Sequence, residues 1–535
     1  MPKKENLQAS NSKFHYLTLA LLLPALLINL GLVAFINDEA IRALVALEMD
    51  LSGNYITPTM FGEYYYNKPP LYNWILLVFS NIYGYSNEFI SRLPTVVFLL
   101  AYAATIYHFS RKYFSQKWAF INAFALITCG RILFYDSFLG LIDICFSWTI
   151  YSMFMVVYHR WKAGKYYQLF GIAYTLTALA FLMKGLPAIV FLGTTLLAHF
   201  IYQKQFKKLF LPAHFFGMGI FVAIVGGYYF AYHQYNDLSV LFTTLFVESA
   251  KRTPIEYGFL DTVLHLFSFP FEMVFHFLPW SFLVIYLFQK KLKSRLESHP
   301  FIAYNALIFA TTIPLYWISV EVYPRYLFMH VPLIFSVLFY LHNQQKAAPE
   351  WQFKLIEKSF ALLKIIAPIA IIALPFLVEN VKEVSYFYLK WSGVFIAAVS
   401  LIFVYFYKKS PSFLTLIALL LVLRIGFDWF ILPSREKIER TTVCRESAKN
   451  VGQNFQKETL YNYKNSLGWN PATAYYITNE RQLIFKSTDQ RLDSNAVFII
   501  NQDVLDWGNF EDLQMVEVPF EGGCVYVGKL VKREK

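Results

Sequence analysis

The stretch Asn37–Ile75, NDEAIRALVALEMDLSGNYITPTMFGEYYYNKPPLYNWI, decides how this chain is read. It follows one apolar segment and precedes the next clear one. Asp38 and Glu39 stand side by side, Arg42 follows closely, and Lys68 lies against Pro69-Pro70. DEAIRALVALEM has the pattern of a helix whose first-turn acids favour the helix dipole. SGNYITP reads as a turn. GEYYYNKPP reads as a constrained extended piece, because proline fixes its own φ and restricts the residue before it. Connections between spans are usually short. A long polar loop with structure of its own points to function.

Outward from this loop the chain is greasy. Of 535 residues, 57% are hydrophobic and only 15% charged, where soluble domains carry about a quarter. Mean hydropathy is +0.42. The expectation is a mainly α, polytopic membrane protein. A net charge of +12 would suit a nucleic-acid partner, but the basic residues sit in short loops between apolar segments. There they report topology, so no nucleic acid is expected.

A span needs roughly 20 apolar residues. Candidates lie near 16–36, 89–109, 117–134, 143–158, 167–183, 186–202, 209–232, 273–289, 301–320, 325–341, 364–379, 391–407 and 413–433. That predicts about 13 transmembrane helices, the first an uncleaved span. Pro70–Tyr83 is short and opens on Pro-Pro, so it is placed along the interface with the rest of the first outside loop. Lys and Arg alternate in density from loop to loop. Arg111, Lys112 and Lys117, then Lys290, Lys291, Lys293 and Arg295, fall on one side with the N-terminus. By the positive-inside rule that side is cytoplasmic, and an odd number of spans puts the tail outside.

After Pro433 the composition turns polar. QLIFKS, NAVFIINQDV and GCVYVGKLVK carry strand signals, and RESAKNVGQNFQK reads as a helix. Residues 1–433 are therefore expected as a transmembrane domain and 434–535 as a small extracytoplasmic α/β domain. Cys444 and Cys524 could form a disulfide joining its two ends, or stand as two thiols.

The outside loops collect the ionisable residues. Asp38 and Glu39 come directly after a span. Asp136, Asp143 and Arg131 fall in the second outside loop, with Asp143 either an N-cap or a functional acid. Lys184-Gly185 forms a tight turn between two spans. A second long outside loop carries Glu248, Lys251, Arg252, Glu256, Asp261, His265, Glu272 and His276, in no tight metal-ligand spacing. Glu321, Arg325 and Tyr326 mark another span boundary. Lys68 is either a snorkelling interfacial lysine or an anion partner at headgroup depth. Acids together with cations on one side suit an anionic lipid headgroup. A polyprenyl-phosphate sugar releases a phosphate that gains negative charge, which cations stabilise more in the transition state than in the ground state. A carboxylate can take the acceptor proton.

The ordered set Asp38-Glu39, Gly62-Glu63, Lys68-Pro69-Pro70 and Ser91-Arg92-Leu93-Pro94 resembles the first outside loop of the lipid A aminoarabinose transferase-like glycosyltransferases. These belong to the membrane GT-C superfamily, alongside the protein O-mannosyltransferases. Asp143, Lys184-Gly185, LPW at 278–280 and PRYLFMHVP at 324–332 extend the match. The resemblance implies inverting transfer from an undecaprenyl-phosphate type donor to an extracytoplasmic lipid A, glycan or protein acceptor, in a bacterial inner membrane. It implies Asp38 as base, Asp143 and Glu39 as further acids, and Lys68 on the donor phosphate. Arg252 and Arg325 are implied further phosphate contacts, and Arg42, Glu63, Lys184 and Tyr326 join them as candidate substrate contacts. Two departures stand out. The family commonly has Glu before Lys-Pro-Pro, and here Asn67 occupies that place, which leaves a divalent metal open. The common arginine three residues after the Asp is Ile41, with Arg42 one place later. A transporter or flippase would be expected to carry its charges near the midplane, with repeated halves. A polymerase or ligase would not be expected to carry the first-loop set.

Overall fold

A computed structural model describes residues 2–36, 38–250, 258–346, 349–407, 412–490, 496–501, 510–511, 516–520, 523–529 and 531–532. The chain divides into two compact units. One comprises residues 1–28, 95–229 and 242–431, the other 29–94, 230–241 and 432–535.

The first unit is a helical bundle. Its neighbours include Asp143–Lys162 against Tyr166–Lys184, and Pro2–Leu27 against Ser412–Gly426. The interior is aromatic, and several of its polar tips are hydrogen-bonded, as a dry core favours. The Trp280 indole N–H donates to the Thr128 hydroxyl at 3.0 Å. Tyr102 donates to the Phe328 carbonyl at 2.9 Å, and Tyr304 to that of Phe154 at 2.5 Å.

Among the described residues, six helices are long and apolar enough to cross a membrane by length and composition. The expected count of about 13 is not reached on that measure, because turns cut several apolar runs short. Gln116–Ile127 has 12 residues and Pro300–Thr312 has 13. The candidate at 273–289 is not one helix. Phe259–His276 ends before Leu278-Pro279, and a 3₁₀ segment runs from Trp280 to Phe288. Pro279 lacks an N–H and crowds the preceding turn, which favours a helix end there.

The long second outside loop is largely helical instead, with Leu238–Ala250 and Phe259–His276. Leu260, Leu264, Phe267, Phe271 and Phe275 recur at helical spacing and are exposed. Charges in the same stretch conceal that periodicity from a composition reading.

The second unit joins the first outside loop to the tail. Helix Asp38–Ser52 packs on Leu71–Tyr83 and on Pro471–Arg481, and Arg440–Asn454 packs on Pro471–Arg481. Between Asp38–Ser52 and Leu71–Tyr83, Thr59–Met60 pairs antiparallel with Glu63–Tyr64. The tail carries a five-stranded mixed sheet in the order Lys486–Thr488, Leu460–Tyr463, Val497–Asn501, Gly523–Lys529, Val516–Phe520. The first three strands are parallel and the last two pair antiparallel. Tyr463, Ala496, Phe498 and Ile500 form a small core on this sheet. Cys444 and Cys524 lie on Arg440–Asn454 and on Gly523–Lys529. The Arg440 guanidinium donating to the Gly523 carbonyl at 2.9 Å ties the same two segments noncovalently.

Candidate functional site

In the second unit the two adjacent acids have opposite surroundings. Asp38 opens its helix with an exposed side chain, and Glu39 is buried. Neighbours on a helix diverge by about 100°, so one can face the interior while the other faces out. The Glu39 carboxylate takes two bonds from Arg92, Nη2 to Oε1 at 2.6 Å and Nε to Oε2 at 3.1 Å. This is the bidentate form that suits guanidinium and carboxylate. Arg92 also donates to the carbonyls of Leu30, Val33 and Ala34 at 2.9–3.1 Å. Glu39 Oε1 accepts the Ile36 N–H at 3.0 Å. The pair thereby fixes the backbone that enters the Asp38 helix.

Arg42, one turn on from Asp38, is buried. Its Nη2 donates to the Tyr65 hydroxyl, and its guanidinium lies 5.1 Å from that ring's centre. Tyr65 stands three residues before Lys68, which is half-buried. Glu63 is exposed. Tyr66 accepts from the Asn236 amide at 3.1 Å, and Asn236 also donates to Tyr232 at 3.1 Å.

Glu48 organises the turn between the two short strands. Its carboxylate accepts from the Thr59 hydroxyl at 2.8 Å and from the N–H groups of Phe61 at 2.8 Å and Gly62 at 3.1 Å. Phe61 and Gly62 both have positive φ, 56° and 72°. A Cβ on Gly62 would come within 2.8 Å of Lys486 Cγ, so the position needs glycine for its backbone and for space. Burial pushes the Glu48 carboxyl up to about 7, against the three hydrogen bonds that favour its charged form.

The first unit holds a second charged constellation. Asp143 is the first residue of its helix and Lys184 the last of the next. The Lys184 ammonium bonds Asp143 Oδ1, and Arg325 Nε lies 3.5 Å from Oδ2. Lys184 sits 4.4 Å from the Tyr326 ring centre, and Arg325 sits 4.4 Å from that of Tyr323. Two cations thus meet at one buried carboxylate. Nearby, Asp136 pairs with Arg131 at 2.6 Å. Burial raises the Asp136 carboxyl to about 6, with Arg131 pulling it down. Ser137, the next residue, accepts from Arg424 Nη1 at 2.7 Å, and Arg424 pairs with Asp428 at 2.7 Å. Arg252 lies outside the described residues. Among those described, no three His, Cys, Asp or Glu side chains are placed as a metal-ligand set.

Residues 67–229 match the family model of dolichyl-phosphate-mannose-protein mannosyltransferases. An uncharacterized protein of Aquifex aeolicus is 25% identical over 58% of this chain and 61% of its own length. An undecaprenyl phosphate-alpha-4-amino-4-deoxy-L-arabinose arabinosyl transferase of Proteus mirabilis is 30% identical over 32% of each chain. The chain thus spans about a third to three fifths of the curated relatives it matches. The crystal structure of ArnT from Cupriavidus metallidurans bound to undecaprenyl phosphate superposes with a TM-score of 0.70. It covers 96% of this chain and 98% of that one, at 15% identity. The chain is aminoarabinose transferase-like in fold. The fold match extends through the later spans and the tail, well beyond the segment that the family model covers. The apolar helices and this aminoarabinose transferase-like fold describe a multi-pass membrane protein.

Three residues central to these networks were missed as functional residues from sequence. Glu48 interrupts the apolar run ALVALEM, and a lone acid inside a buried helical face is a signal of a satisfied carboxylate. Arg424 and Asp428 stand four apart inside an apolar run, the spacing of a helical ion pair.

Proposed function

We propose that this chain is an integral-membrane glycosyltransferase that moves a sugar from a polyprenyl-phosphate donor to an extracytoplasmic lipid, glycan or protein acceptor, with inversion. The observation that carries the reading is the split between Asp38 and Glu39. An exposed carboxylate at a helix start can meet a substrate, and the neighbouring Glu39 is buried on Arg92. Asp38 acts as general base on the acceptor hydroxyl. The acceptor oxygen attacks the anomeric carbon, the bond to the donor phosphate breaks, and the phosphate leaves with its new charge.

Lys68 takes the role of phosphate partner, helped by the rigid Lys-Pro-Pro step and by Arg42 holding Tyr65. Glu39 is a positioning residue. In the first unit, Asp143 orients Lys184 and Arg325, which suit an anionic headgroup, with Tyr326 packed under Lys184. Glu63 and Arg252 are kept as candidate substrate contacts. No step is routed through a metal.

Fold likeness to ArnT and the names of the curated relatives support undecaprenyl phosphate as the carrier, and an aminoarabinose donor is the first to assay. The outside placement of Asp38 and the tail rests on the positive-inside reading, and a bacterial inner membrane rests on the likeness to the arabinosyl transferases. The test is Asp38→Asn in purified, nanodisc-embedded protein. Transfer should fall by about 10³-fold or more with unchanged folded yield. Wild-type turnover in that variant would remove Asp38 from the reaction. Movement of lipid-linked sugar across vesicles with no new glycosidic bond would instead favour a flippase.

A further inference from the structure

Residues 30–36 run into the Asp38 helix as irregular chain, and side chains grip them at almost every step. The carbonyls of Leu30, Val33 and Ala34 go to Arg92, that of Leu32 to Arg445, the N–H of Phe35 to Tyr476, and that of Ile36 to Glu39. Two of these four side chains come from the C-terminal segment. Arg445 lies on helix Arg440–Asn454 and Tyr476 on helix Pro471–Arg481.

Both are themselves pinned. The Tyr476 hydroxyl accepts the Phe35 N–H at 2.8 Å and donates to Glu88 at 2.9 Å, so its proton is committed. Its ring stacks 6.0 Å from that of Phe35, and Tyr475 meets Phe35 edge-on at 4.8 Å while bonding Ser86 at 2.8 Å. Arg445 reaches the Leu32 carbonyl at 2.9 Å and spreads its other donors over Glu436 at 3.0 Å and Glu446 at 3.1 Å. Such grips go beyond packing. They fix individual backbone atoms within the seven residues before the Asn37-Asp38 step.

A base displaced by about 1 Å can lose on the order of 10² in rate. Irregular backbone has no ladder of its own to resist such drift.

We propose that the C-terminal segment sets the position of the Asp38 carboxylate, with Arg445 and Tyr476 as positioning residues acting through the 30–36 backbone. This rests on the assignment of Asp38 as base.

The experiment uses full-length protein in nanodiscs with Tyr476→Phe, Arg445→Gln and Arg445→Lys. Tyr476→Phe keeps the ring stack and removes only the hydroxyl. Hydrogen exchange at Phe35 and Ile36 is read beside kcat and KM for undecaprenyl-phosphate-linked aminoarabinose. The expected result is exchange at Phe35 roughly tenfold faster in Tyr476→Phe, with kcat about tenfold lower and donor KM within about twofold. Arg445→Gln should lower kcat likewise, and Arg445→Lys, which keeps one donor for Leu32, should recover part of it. Unchanged exchange at Phe35 and Ile36 would overturn the proposal. So would faster exchange with wild-type kcat, or a loss that appears only in folded yield. If the wild-type protein itself transfers no sugar, the enzymatic reading fails. The exchange measurement then decides alone whether the tail holds the loop.

Discussion

Glu48 gives the sharpest handle on the first-loop architecture, because its environment makes opposite demands of its two charge states. Burial opposes the carboxylate, and three donors favour it. The balance leaves the folded group near 7, against an ordinary value of 4.5. The sign follows from proton linkage. Below 4.5 the group is protonated in the folded and in the open loop alike. Between 4.5 and about 7 the open form releases its proton while the folded form keeps it, so the closed turn loses stability as pH rises. Above 7 both forms are charged and the loss is complete. The two values lie about 2.5 pH units apart, which corresponds to roughly 3 kcal/mol at the limit.

The turn at Phe61 and Gly62 carries this change, since their N–H groups end on Glu48. Their hydrogen-exchange protection, corrected for the intrinsic pH dependence of exchange, should therefore fall by up to roughly 10²-fold between pH 5 and pH 8. Glu48→Gln cannot titrate. Its profile should be flat, below wild type at pH 5 by about 1 kcal/mol for the impaired hydrogen bonding, and level with or above it at pH 8. Crossing of the two profiles is the diagnostic outcome. A wild-type profile as flat as that of Glu48→Gln would refute the reasoning.

Glu39→Gln leaves Arg92 buried without its counter-charge and should cost about 3–5 kcal/mol, seen as a lower melting temperature. Replacing both, with Glu39→Gln and Arg92→Met, should cost less than the sum of the single changes. Arg424→Leu and Asp428→Leu should behave in the same way, each single change being worse than the pair when folded yield is measured. Lys68→Ala should raise the donor KM about tenfold with folded yield unchanged, measured by donor titration in nanodiscs. Gly62→Ala should destabilise the first-loop turn by about 1 kcal/mol or more, seen as faster exchange at Phe61, because its φ is positive and Lys486 occupies the space.

Much of the helical framework was legible because long apolar runs have few other solutions. The boundaries that failed did so for local reasons. Pro279 splits the run at 273–289, and charges at Asp261, Glu272 and the histidines drew attention from the apolar repeat in Phe259–His276. In the tail, GCVYVGKLVK and NAVFIINQDV announced strands that do pair, Val497–Asn501 with Gly523–Lys529. What those strands and helices rest against was not legible. Tyr476 finds Phe35 across 441 residues, and Arg445 finds Leu32 across 413. Neither side chain carries a local mark of its partner. In the first loop the Asp-Glu pair was visible, but its division of labour needed Arg92 in place, since either acid could have faced inward.

The offset of Arg42 from the family's usual position gains a physical meaning from these contacts. An arginine three residues after Asp38 would project about 100° from where Arg42 does. Ile41 takes that place and is buried. Arg42 instead points its guanidinium at Tyr65, within the extended piece that leads through Asn67 to Lys68. A cation spent on a tyrosine hydroxyl and ring would still serve the proposed anion site, because it fixes the segment that carries the lysine. Pro69 restricts the Lys68 backbone from the other side. Helix Asp38–Ser52 consequently anchors the Lys68 segment twice, through Arg42 to Tyr65 and through Glu48 to the Thr59–Gly62 turn. Asp38 opens the same helix. The proposed base and the proposed phosphate lysine are thus referenced to one helix, a reason for a polar loop this long to be built around a largely buried helix.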